Sequence, residues 1–172
     1  MIIRNGAGTA RSLLRPNPLR HWALIAVLAL LGHAARADSP PACDSADSHQ
    51  VRLQISVSGM HSAAGNITIT IYPDDAAHFL DGKFKLARQS VPVTLPVTHA
   101  CFAFAEPGYY AVALFHDENN SGHFETTMLG LPADGFGFSN NPTLYLGPPD
   151  LGKARFEARS GDNPIAIQMK YY

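Results

Sequence analysis

The densest group of potential ligands in the chain is His116-Asp-Glu-Asn-Asn-Ser-Gly-His-Phe-Glu125. Asp117, Asn119 and Ser121 stand at alternate positions, Gly122 follows, and Glu125 comes three residues later. Oxygen donors at every second residue, with a glycine for the sharp bend, let a short loop wrap a hard cation such as calcium. In the helix-flanked form of such loops the twelfth place is a bidentate glutamate. Here that place is Met128 and the flanks read as strands, so an ion would take further oxygens from elsewhere, with Glu118 and Asp134 as candidates. The same residues also suit a turn in which Asp and Asn side chains cap their own backbone. The metal set read from this pattern is therefore Asp117, Asn119, Ser121, His123 and Glu125, and calcium is the cofactor it implies.

A nitrogen-rich alternative combines His116, His123, Glu125 and His99 as ligands of a transition metal, which would make the protein a metal-dependent hydrolase. Other catalytic arrangements are weaker. Ser139, in Gly-Phe-Gly-Phe-Ser-Asn-Asn141, lacks the glycine that follows a nucleophile-elbow serine. His116 adjoins Asp117 and Glu118, but neighbours on a strand point to opposite faces. No catalytic residue is assigned, and the leading expectation is a non-enzymatic binding or accessory module whose partner is a protein or small ligand. A structural or adhesive module is the third reading. The segment from Leu129 to Asn141 offers Phe136 and Phe138 either to a ligand or as anchors of a long loop.

The elements that must position these residues begin after a leader. Residues 1–37 carry Arg4, Arg11, Arg15, Arg20 and Arg36 with no acidic residue, then the apolar run from Trp22 to Leu31 and the small-residue site Ala35-Arg36-Ala37. That order is a secretory signal peptide, and the run falls well short of the roughly 20 apolar residues of a spanning helix. The expectation is export to the periplasm or beyond the cell, with no membrane span left after cleavage. Loss of the leader arginines makes the remaining chain clearly acidic, whereas the whole chain is near neutral at −1. An acidic surface argues against nucleic acid as a partner.

In an oxidising compartment Cys43 and Cys101 are expected to pair, closing a long loop worth about 4 kcal/mol on the chain-entropy estimate. Residues 38–50 are polar and Pro-rich and read as a flexible entry segment. Residues 51–172 read as one β domain. Val51, Leu53, Ile55 and Val57 alternate with polar residues, as do Ile67, Ile69 and Ile71, the period of a strand with one buried face. The simplest connection makes these two strands an antiparallel hairpin. Further strands are expected over 88–94, edge-like because of Pro92, and over 98–104, 109–116, 154–158 and 165–171. Asp74 to Leu80 suits one or two helical turns, and the stretch from Asp117 to Gly152 reads as a long loop. About seven strands with turn chemistry between them match an immunoglobulin-like or transthyretin-like antiparallel β-sandwich with one disulfide. A tyrosine just after Pro107-Gly108 suits the corner tyrosine of such folds, and a closed barrel is the alternative.

The succession Pro107-Gly-Tyr-Tyr-Ala-Val-Ala, His116-Asp-Glu-Asn, Gly130-Leu-Pro-Ala-Asp-Gly-Phe-Gly-Phe-Ser-Asn140 and Pro148-Pro resembles an exported bacterial family, domain of unknown function 2141, over about Val51 to Tyr171. The resemblance implies an exported β-sandwich without an assigned activity. Relatives of this kind often carry a second Asn and then an Asp in the polar loop, where this chain has Ser121 and Glu125. Both departures keep an oxygen ligand.

Overall fold

The computed structural model describes Cys43, residues 50–145 and residues 147–172. The leader reading over residues 1–37 lies outside the described residues, as does the entry segment apart from Cys43 and Gln50. In chain order the elements are β1 (Val51–Ser58), β2 (Asn66–Pro73), β3 (Ala87–Pro92), β4 (Val97–Phe104), β5 (Gly108–Asp117), β6 (Gly135–Phe138), the four-residue helix α1 (Leu151–Ala154), β7 (Phe156–Ala158) and β8 (Gly161–Gln168). The protein is all-β, and among the described residues no helix is long and apolar enough to cross a membrane.

The strands form two sheets that share one core. The first has the order β4-β1-β8 and the second β3-β2-β5-β6, with β7 also on β5. The alternation read in β1 is realised, since Val51, Leu53, Ile55 and Val57 are each 0 % exposed. Across from them lie Ile67, Ile69 and Ile71 of β2 and Val112 and Leu114 of β5. Each such side chain withdrawn from water contributes about 1.5 to 3 kcal/mol.

The expected β1–β2 hairpin is not formed. β2 pairs with β3 and β5, whereas β1 pairs with β4 and β8. Both strands have a strongly apolar face, and the two faces meet across the core instead of lying side by side in one sheet. Gly59 and Gly65, both at positive φ (81° and 66°), turn the connection from one layer to the other. The expectation of a wholly antiparallel arrangement is corrected as well, because β1 and β8 run parallel with Ile55 opposite Ile165. Two sheets with distinct strand orders also replace the closed-barrel alternative.

Three other expectations shift. Asp74 to Leu80 forms turns rather than helix. The long polar stretch contains an unforeseen strand, β6, and α1 occupies residues just before the place where a strand was expected to begin. β6 and β7 share the far edge of β5 end to end, β7 opposite residues 108–110 and β6 opposite 113–116. Ser139 fills the gap between them: its N–H donates to the Val112 carbonyl at 3.0 Å, its hydroxyl oxygen accepts the Val112 N–H at 2.9 Å, and the hydroxyl donates to the Ala154 carbonyl. That serine is fully buried and structural.

Cys43 and Cys101 form the expected disulfide, with Cα atoms 5.5 Å apart. On β4, Ala100 and Phe102 face the core, so Cys101 between them points away from it. The bond fastens Cys43 to the outside of the three-stranded sheet.

Candidate functional site: a polar loop beside an apolar cleft

β5 ends at Asp117, which is 3 % exposed. Its carboxylate accepts the backbone N–H groups of Ser121 and Gly122, each at 2.8 Å. The Asn119 side-chain oxygen accepts the same Ser121 N–H at 3.0 Å, and its amide donates to the Glu125 carboxylate at 2.8 Å. Asn120 and Gly122 adopt positive φ, 58° and 80°, which is what lets so short a segment fold back on itself. The Ser121 hydroxyl donates to the His123 carbonyl at 3.0 Å, and the exposed His123 ring lies 3.0 Å from the Ser121 carbonyl and 3.7 Å from Glu125. The self-capping turn is thus present, and it gathers Asp117, Asn119, Ser121 and Glu125 into one knot.

Asp134 joins that knot: its carboxylate accepts the Glu125 N–H at 2.8 Å. Burial raises the Asp134 carboxyl above its ordinary range, and the charges of Glu125 and Asp117 push in the same direction. Glu118 turns the other way. It accepts from the Ser62 hydroxyl and meets His61 Nε2 at 3.0 Å, and these bonds, Ser62 first, lower its carboxyl. Of the two additional oxygen donors considered from sequence, Asp134 adjoins the loop and Glu118 does not. Neighbours at the end of a strand diverge, and Glu118 follows Asp117 directly.

The nitrogen-rich set is not assembled. His99 lies on β4 in the other sheet, 3.0 Å from the Ser56 hydroxyl. His116 is 0 % exposed with both ring nitrogens engaged. Its Nε2 donates to the Ala64 carbonyl at 2.8 Å, and Nδ1 meets the Tyr171 hydroxyl at 2.7 Å. Gly65 lies so close to the Asp117 carbonyl that a Cβ there would collide with it, which brings Ala64 within reach of His116. Ligand atoms of His61, His116 and Glu118 do come within 4.8 Å of one another. They are occupied by Ala64, Tyr171 and Ser62, and the Tyr171 ring stacks on His61 at 3.9 Å. This is a hydrogen-bonded plug between the two sheets, assembled from chain segments whose local spacing gives no hint of it.

A cleft of about 560 Å³ opens on the outer face of the second sheet. Its floor comes from Tyr72 of β2, Phe115 of β5, and Phe136 and Phe138 of β6, with Phe124 and Leu131 rising beside it. The Phe124 ring meets Phe115 edge-on at 5.9 Å and Phe136 at 6.5 Å. β6 inverts the usual pattern of a strand. Gly135 and Gly137 face inward, where a Cβ would strike the Tyr171 ring or come within 2.7 Å of Ile167, and the phenylalanines face out. Phe136 and Phe138 therefore belong to a strand rather than anchoring a loop. Around the rim, Tyr145 is 84 % exposed, and the turn between Thr126 and Pro132 leaves Met128 and Leu129 almost wholly in solvent. Such apolar concavities of several hundred Å³ with few polar groups are the usual form of a small-molecule site. Tyr72, Tyr145 and Tyr172 could not be gathered from sequence, since the floor unites three strands far apart in the chain.

No curated protein and no solved structure matches the chain. A family model described as an uncharacterized protein conserved in bacteria matches residues 55–166, which spans both sheets, the polar loop and the cleft floor, so the chain belongs to this family, DUF2141.

Proposed function

We propose that the protein is an exported, non-enzymatic binding module in which calcium orders the polar loop and the loop in turn holds one wall of the apolar cleft. The observation that carries this reading is the position of Phe124. It lies between His123 and Glu125 of the oxygen-rich loop and packs its ring on Phe115 and Phe136 of the cleft floor. Any ion that draws Asp117, Asn119, Ser121, Glu125 and Asp134 together also fixes that ring. Convergent carboxylates favour such an ion: burial chiefly raises Asp134, Glu125 and Asp117 add to the shift by repulsion, and a divalent cation offsets that repulsion. The disulfide favours an oxidising compartment. An immunoglobulin-like arrangement of the two sheets is supported by Tyr110, whose hydroxyl donates to the Glu106 carbonyl four residues upstream at 2.6 Å, the bond of a tyrosine corner.

Thermal unfolding of the signal-free protein in calcium and in chelator tests the ion. A ligand confined to the native state raises stability by RT ln(1 + [L]/Kd), about 2.7 kcal/mol at a hundredfold excess over Kd. The expected outcome is a midpoint several degrees higher in millimolar calcium than in chelator, accompanied by stronger fluorescence of an apolar dye bound to the cleft. Identical midpoints in the two buffers refute the calcium-ordered loop.

A further inference from the structure

The cleft contains one permanently charged group. Arg88 extends from edge strand β3 opposite Thr70 and donates its Nε–H to the Thr70 hydroxyl at 2.9 Å. Among the described residues no carboxylate stands within ion-pair distance of its guanidinium. None lines the cleft either. Arg88 is exposed, so a ligand can reach it directly. The lining also carries His123, already beside Glu125, whereas Arg88 has no ion-pair partner among the described residues. An aromatic floor suits a hydrocarbon body, and a guanidinium that gives Nε to Thr70 and a further bond to the Tyr72 hydroxyl still has N–H donors left for an anion. Phosphate groups with two charges are generally met by clusters of basic residues, and this cleft is lined by one permanent cation, Arg88, with a single histidine, His123.

We infer that the cleft binds a single-chain amphipathic carboxylate, such as a medium-chain fatty acid, with its hydrocarbon on Phe115, Phe136 and Phe138 and its carboxylate on Arg88. This rests on the binding-module reading above and adds the ligand class and its orientation. Thr70, through Nε, and Tyr72 hold the Arg88 side chain against the cleft that both residues line.

The test is calorimetric titration of the disulfide-bonded protein with dodecanoate and, separately, with dodecanol, both held below their aggregation limits in buffer free of the divalent ions that would precipitate the carboxylate. Dodecanoate is expected to bind at least tenfold more tightly than dodecanol. Arg88→Gln is expected to erase that preference while leaving dodecanol affinity and the unfolding midpoint unchanged, and Arg88→Lys to restore part of it. Equal affinity for the two probes, unmoved by Arg88→Gln, overturns the carboxylate assignment and leaves the binding module standing. If neither probe binds, and an apolar dye does not either, both fall. If dodecanoate is ignored while vesicles containing phosphatidylglycerol are captured, the occupant is a membrane surface and the inference is wrong.

Discussion

Asp134 is the residue at which the electrostatics of the loop can be measured. Its carboxyl is raised chiefly by burial, with Glu125 and Asp117 adding to the shift. A carboxyl raised by folding favours the protonated native state. Its contribution is complete below the unfolded value, near pH 4, and is lost as pH rises through the higher folded value. The calcium-free protein should therefore lose a little stability across that window. Asp134→Asn keeps an oxygen for the Glu125 N–H and should remove the loss, gaining about 0.5 kcal/mol at pH 7, a small figure because the group is only partly buried. Urea unfolding at a series of pH values in chelator measures it, and a wild-type profile identical to that of the variant would contradict the account. The same variant should also show a smaller midpoint rise with calcium. These residues were legible in advance because ligand spacing is local. Asp117, Asn119, Ser121 and Glu125 sit within one loop, and Asp134 is near enough in sequence to be suspected. The tie of Glu118 to His61 and Ser62 crosses more than fifty residues, and nothing in the local pattern encodes it.

Among the elements, the strands that obey simple alternation were readable and the one that inverts it was not. β1 has every apolar side chain on the core face. β6 puts glycine inward and phenylalanine outward because the space beneath it already holds Tyr171, Ile167 and Leu114. By composition alone such a strand is indistinguishable from a Gly-rich loop. Pairing failed for a different reason. Alternation tells which face of β1 and β2 is buried, but an apolar face can be covered equally well by a neighbour in another sheet. The inward glycines make a sharp prediction. Gly135→Ala places a methyl group against the Tyr171 ring, which must move away from His116 Nδ1 and His61. The expected cost is about 1 to 3 kcal/mol in urea unfolding, the range for overpacking a well-filled site. A cost within error of zero would mean that the Tyr171 ring is not packed against Gly135.

At the scale of the whole molecule, the parts are coupled through surfaces rather than through chain proximity. The cleft floor is the back of the sheet whose front forms the core, so Phe115 and Leu114 are neighbours on β5 that serve opposite faces. A substitution that disturbs β5 should therefore reach both stability and binding. The disulfide sits on the remote face of the other sheet and stays out of that coupling.

The parallel pairing of β1 with β8 sets the order in which the domain can mature. Val51 is opposite Gly161 and Ser58 opposite Gln168, so the earliest described strand waits for the last one before its second edge is satisfied. Such pairing must close a very long loop before any contact rewards it, which makes it slow. Until β8 arrives, the core also lacks Ile165 and Ile167, and β1 offers an open edge to other chains. A chain ending before Gly161 should accordingly show no cooperative thermal transition and should aggregate, whereas the full domain melts in one step by circular dichroism. Under the export proposed above, such lateness is useful if the chain is threaded through a membrane unfolded. A fold that cannot be completed from its leading portion will not jam the passage through which it is threaded.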